Sequence, residues 1–150
     1  MDPVKSSDSS FKLCGSWKLV SLSGQGKNGH SIHPMGTDAQ GRLIYEPDGR
    51  MMMQVMRSNR PQLSADDPLF ASEEDLRAAF SGYLAYFGTY TFNEVEQVIV
   101  HHIEAHSIPN WVGADYVRHF ECDGKHLTLK GPFTLSGMEG ELIMVWERLL

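Results

Sequence analysis

Gly15-Ser16-Trp17-Lys18-Leu19-Val20-Ser21-Leu22 alternates Trp17, Leu19 and Ser21 on one face with Lys18, Val20 and Leu22 on the other, the period of a β-strand. Outward from it, turn signals recur at short intervals. Asn28-Gly29 is a turn dipeptide, Pro47-Asp48-Gly49 after Arg42-Leu43-Ile44-Tyr45-Glu46 is a hairpin signal, and Asp123-Gly124 is a second one. The apolar or alternating segments between these signals give eight strands, over residues 15–22, 42–46, 51–57, 86–92, 97–107, 115–121, 127–130 and 141–149. The chain reads as all-β.

One stretch follows a different period. Ser72-Glu73-Glu74-Asp75 has the spacing of a capping box, and Leu76, Phe80 and Tyr83 follow at i, i+4 and i+7. A single amphipathic helix is therefore expected between the third and fourth strands. The Pro-, Asn-, Ser- and Asp-rich segment before it, residues 58–68, reads as an ordered loop or lid. Eight sequential antiparallel strands with short links suit a sandwich or a closed up-and-down barrel, and closure would remove the exposed edges. Gly15-Ser16-Trp17 on the first strand and Arg148 at the end of the last favour the barrel.

The chain has 150 residues with 13 Lys+Arg against 19 Asp+Glu, a formal charge of −6 at pH 7. That is one domain's length, with residues 1–12 expected as a disordered polar tail and residues 13–150 as the barrel domain. The acidic balance and the lack of any basic run argue against nucleic acid as a partner. No apolar stretch reaches the roughly 18 residues of a membrane helix. The first ten residues lack the apolar core of a secretory leader, so a cytoplasmic protein is expected. Cys14 and Cys122 are expected as reduced thiols, with a single disulfide as the alternative. Nothing in the sequence sets the oligomeric state.

A Gly-x-Trp on the first strand with an arginine at the last resembles the lipocalin and calycin signature, in which the tryptophan plugs the closed end of the barrel under the arginine. Four longer segments add to it: Leu43 to Met51, Tyr83 to Tyr90, His101-His102-Ile103-Glu104 and Pro109 to Arg118. They resemble the short lipocalin-like domain family of bacteria and fungi, from about Cys14 to the C-terminus. The resemblance implies an eight-stranded lipocalin-like barrel with an internal cavity. It implies no particular activity.

Strand parity selects the groups that face such a cavity. On the sixth strand Tyr116, Arg118 and Phe120 share the face suited to the interior. Arg118 there needs a carboxylate, several acceptors or an anionic ligand group, unless it reaches the barrel rim. On the fifth strand Ile99, His101, Ile103 and Ala105 form the more apolar face. His101 is thus expected inside, as an acid or base near neutral pH or as a core histidine satisfied by a neighbouring hydroxyl. His102, Glu104 and His106 then face outward. They are metal-ligand types, but residues i and i+4 on a strand lie about 13 Å apart, so no metal site is expected.

His101, Arg118 and Tyr90 are the catalytic candidates. Tyr45, Gln54, Arg57, Tyr86, Asn110 and Trp111 are the ligand-binding candidates, with Met51, Met52, Met53 and Met56 supplying an adaptable wall. Gly88, between Tyr86 and Tyr90, would leave space beside the tyrosines. Nucleotide loops, dinucleotide fingerprints and the Gly-x-Ser-x-Gly elbow are missing from the sequence, so no cofactor is expected. The leading expectation is a cofactor-independent enzyme acting by proton transfer on a small hydrophobic molecule, giving isomerisation, cyclisation or dehydration. The alternatives are a non-catalytic carrier using the same cavity, and an interaction barrel with a filled interior.

Overall fold

Three hairpins set the register of the sheet. Pro47-Asp48-Gly49 turns between β3 (Gln40–Tyr45) and β4 (Arg50–Met56), with Gly49 at φ +94° and the Asp48 carboxylate accepting from the Arg50 N–H. Asp123-Gly124 turns between β7 (Asp115–Cys122) and β8 (His126–Leu135), and the Asp123 carboxylate accepts the N–H groups of Lys125 and His126. Residues 94–97 link β5 (Tyr83–Asn93) to β6 (Val98–His106). With β1 (Gly15–Gly26) and β9 (Met138–Arg148), these strands pair antiparallel in the order β1-β3-β4-β5-β6-β7-β8-β9, and β9 pairs back onto β1. The computed structural model, which describes residues 12–135 and 138–150, is therefore a closed eight-strand barrel. The tail expected over residues 1–12 lies, but for Lys12, outside the described residues.

A further strand, β2 (Ser31–Ile32), pairs among the described residues only with the far end of β1 at Gly24 and Gln25. The helix α1 (Glu73–Ser81) consequently follows the fourth strand in chain order rather than the third. A two-residue strand carries no alternation to read. The capping of α1 is as expected, with Ser72 Oγ accepting from the Asp75 N–H at 3.2 Å. Its apolar face is only partly covered, leaving Phe80 54% exposed. β8 outruns its expected length because it continues through Gly131-Pro132. Its pairing with β7 ends at Lys130, so the missing N–H of Pro132 removes no rung on that side.

Two β-bulges alter which residues face inward. In β1 the register against β9 shifts between Leu19 and Ser21, so Trp17, Leu19 and Leu22 are buried while Val20 and Ser21 are exposed. The simple alternation expected for this strand breaks at Val20. In β6 the shift falls opposite Phe87 and Gly88, placing His106 rather than Ala105 across from Tyr86. Each bulge adds one residue to one strand and reverses the parity beyond it. Gly88 is required by the second bulge: a Cβ there would collide with the backbone carbonyl of His102. The space beside the tyrosines is thus filled by backbone.

One end of the barrel is sealed. Trp17 is fully buried and donates from Nε1 to the Leu13 carbonyl at 2.9 Å. The Arg148 guanidinium lies 4.3 Å over its ring and donates to the carbonyls of Lys12, Cys14 and Gly124. This is the contact the family resemblance implies. Trp146, Leu127, Leu43 and Tyr45 complete the plug. The opposite end is overlain by the loop at Pro34 and Met35, by Arg57, by α1 and by the short 3-10 helix Pro109–Trp111. Among the described residues no helix is long and apolar enough to cross a membrane.

Candidate functional site

Between the plug and this cover lies a cavity of about 590 Å³. Its walls are chiefly apolar and aromatic, with Leu22, Met35, Met53, Trp111, Tyr116 and Met144 among them. Its polar wall residues include Tyr86, Arg57 and Arg118. Strand parity places Tyr116 and Arg118 inward as expected, since β7 has no register shift against β6 or β8.

Arg118 is 7% exposed and has no carboxylate partner among the described residues. Its Nη1 reaches the Val117 carbonyl only at 3.4 Å, and its Nε is buried without a hydrogen-bond partner. The guanidinium stands 5.0 Å from the centre of the Tyr116 ring. Gly131, across on β8, makes this placement possible, because a Cβ there would overlap Arg118 Nη1.

His101 is fully buried and engaged at both ring nitrogens. Nε2 lies 2.6 Å from Tyr45 Oη and Nδ1 lies 2.8 Å from Tyr86 Oη. Burial, with the nearby positive charge of Arg118 adding to it, drives the imidazole down to about 3. It is neutral at physiological pH. Burial likewise pushes the Tyr45 and Tyr86 hydroxyls well above their ordinary range, so both stay protonated. Of the three, only Tyr86 lines the cavity. His101 is therefore held behind the wall, as a core histidine satisfied by neighbouring hydroxyls.

The remaining candidates divide by position. Tyr90 belongs to the sealed end, donating to the Glu46 carbonyl at 2.7 Å and standing 3.4 Å from Cys14 Sγ. Tyr45 packs against it, with ring centroids 4.7 Å apart. Arg57 lines the mouth and donates to the Pro34 carbonyl at 2.7 Å. Trp111 is on the cavity wall, but Asn110 beside it is exposed and does not line the cavity. Gln54 is exposed on the outer face of β4, because Met51, Met53 and Val55 take the inward positions. It borders a separate concavity of about 420 Å³ with the exposed Met52 and Phe87.

His106 is the residue that strand parity misplaces. The β6 bulge turns it inward, where it stacks on Tyr86 at 5.3 Å and meets Trp111 edge-on at 5.1 Å. Its Nδ1 accepts from the Ile108 N–H at 2.9 Å, which leaves the ring proton on Nε2, a buried atom without a partner. Burial lowers its pKa. His102 stays outside, bonded to Asp115 at 2.8 Å and Thr91 at 3.0 Å, so the His102-x-Glu104-x-His106 set is split between two faces. Pro34 and Met35 also line the cavity, from a loop without periodicity; the Pro-Met pair beside a Gly turn is the signal the sequence offers for them.

A tryptophan plug under an arginine, a single barrel and an apolar interior agree with what family comparison finds. Residues 14–149 match the lipocalin-like domain. The chain belongs to that family. A 4'-hydroxy-3'-methoxypropiophenone carrier protein, ppsC, from Aspergillus oryzae is 32% identical to it over 107 residues, covering 66% of this chain and 96% of the relative. No solved structure matches the chain.

Proposed function

We propose that this protein is a non-catalytic carrier of a small, largely apolar ligand held inside the barrel. The observation that carries the reading is the cavity of about 590 Å³, walled by methionine, leucine and aromatic side chains and opening beneath a partly exposed helix. Met35, Met53 and Met144 give it an adaptable surface. The carrier relative supports the same reading, since a substituted propiophenone is an apolar aromatic body with a few oxygens. Tyr86, Trp111, Tyr116, Arg57 and Arg118 are the ligand contacts in this proposal.

Proton-transfer catalysis has less support. A general acid or base must touch the proton it moves. His101 has both nitrogens occupied by tyrosine hydroxyls and does not line the cavity. The free thiols of Cys14 and Cys122 favour a reducing compartment such as the cytoplasm.

The test uses N-phenyl-1-naphthylamine, a neutral apolar fluorophore, titrated into the wild-type protein and into Thr134→Trp, a substitution at an exposed β8 residue of the cavity lining that narrows the cavity. Saturable, blue-shifted emission in the wild type, weakened about tenfold in the variant, is expected. 4'-Hydroxy-3'-methoxypropiophenone should displace the probe and be recovered unchanged by chromatography. No saturable binding of either compound would refute the carrier, and conversion of the ketone would replace it with an enzyme.

A further inference from the structure

Three buried side-chain polar atoms lack a hydrogen-bond partner among the described residues: Arg118 Nε, His106 Nε2 and Trp146 Nε1. All three are donors. Trp146 belongs to the sealed end, whereas His106 and Arg118 flank two cavity aromatics, His106 stacked on Tyr86 and Arg118 over Tyr116. The Tyr86 and Tyr116 rings are themselves 5.5 Å apart, so Arg118 and Tyr86 form one polar pole on the cavity wall, while His106, on the far side of Tyr86, borders the outer concavity.

Proton counting adds a further donor. Tyr45, His101 and Tyr86 carry three protons at neutral pH but share only two contacts. Tyr45 Oη has no other partner among the described residues and is fully enclosed. Were His101 to donate from Nε2, the Tyr45 proton would be left buried and unpaired, which costs the desolvation of a hydroxyl donor with nothing in return. The lower-energy arrangement has Tyr45 donating to Nε2 and Nδ1–H donating to Tyr86 Oη. The surplus proton is then on Tyr86, on the cavity wall.

Resting on the carrier reading, we propose that the ligand is an apolar monoanionic acid whose anionic oxygens are held by Arg118 and the Tyr86 hydroxyl, with Tyr45 and His101 as positioning residues that direct the Tyr86 proton into the cavity. The one guanidinium at this pole, buried with an unfilled Nε, matches one negative charge, and protons directed into the cavity select a group that accepts. Arg57, the other cation on the wall, is half-buried at the mouth, where it donates to the Pro34 carbonyl and keeps its charge hydrated.

The experiment is a calorimetric titration at pH 7.5 with 2-naphthoate and with methyl 2-naphthoate. The wild type should prefer the acid by at least about tenfold, Arg118→Met should abolish the preference, and Tyr86→Phe should weaken the acid by about five- to tenfold. Equal binding of acid and ester would overturn the anion assignment while leaving the carrier intact. Binding of neither, together with no binding of N-phenyl-1-naphthylamine, would remove both. Nitrogen NMR of His101 tests the positioning role separately. A proton on Nδ1 is expected, and Tyr45→Phe should shift it towards Nε2 and weaken 2-naphthoate about as far as Tyr86→Phe does. A proton on Nε2 in the wild type would overturn the assignment.

Discussion

Two arginines divide the barrel. At the sealed end Arg148 covers the Trp17 ring and donates to three backbone carbonyls, those of Lys12, Cys14 and Gly124. In the cavity Arg118 is more deeply buried than the half-buried Arg148, yet it holds one long contact to the Val117 carbonyl and a partnerless Nε. The same side chain is thus used once with its donors filled from within the chain and once with them unfilled. Packing and polar satisfaction mark the end that maintains the fold. Their absence at Arg118, enclosed by apolar walls, marks the end suited to another molecule.

The largest effect that could break this contrast is at the sealed end. Arg148→Met should lower the unfolding free energy by about 2–4 kcal/mol, because two half-buried carbonyls and an exposed one lose their donor and the Trp17 ring loses its cover, and urea denaturation measures it. Ligand preference should be unchanged in the folded variant. A variant as stable as the wild type would remove the distinction between the two arginines.

A smaller effect sharpens the contrast through pH. The folded chain holds His101 neutral down to about 3, whereas unfolded chains take up that proton below the ordinary 6.5. Stability is therefore full above pH 6.5 and falls by about 1.4 kcal/mol per unit as pH drops towards 3. Urea unfolding at pH 6.5 and pH 4.5 should show this loss in the wild type and a shallower one in His101→Leu. Equal slopes would mean that the imidazole is not held neutral behind the wall. The smallest effects belong to residues outside both regions. Gln54→Ala and Asn110→Ala should each change stability by less than about 0.5 kcal/mol and leave naphthoate binding unaltered, and a tenfold loss in either would redraw the cavity.

Much of this division is readable in the sequence. Alternation and turn dipeptides locate the strands, and Trp17 with Arg148 indicates the sealed end. Arg118 is legible as an inward cation because β7 carries no bulge. The misreadings share a physical origin. Val20 and the bulge in β6 each insert a residue whose only mark is a register shift against a distant strand, so Leu22 and His106 turn inward against simple parity. Gln54 stands among methionines in the sequence, but the strand turns it outward with Met52 while Met51 and Met53 point in. The partnership of His101 with Tyr45 and Tyr86 joins three strands, and no spacing along the chain contains it.

The unfolding free energy of ligand-free Arg118→Met is the most direct measure of the central claim. A guanidinium enclosed without partners adds little to the free fold, and methionine of similar length removes its desolvation penalty. The variant should be as stable as the wild type or more stable, by up to about 1–3 kcal/mol in urea at pH 7. A loss of 2 kcal/mol or more, on the scale expected for Arg148, would show that Arg118 is a structural arginine and contradict its assignment to the ligand.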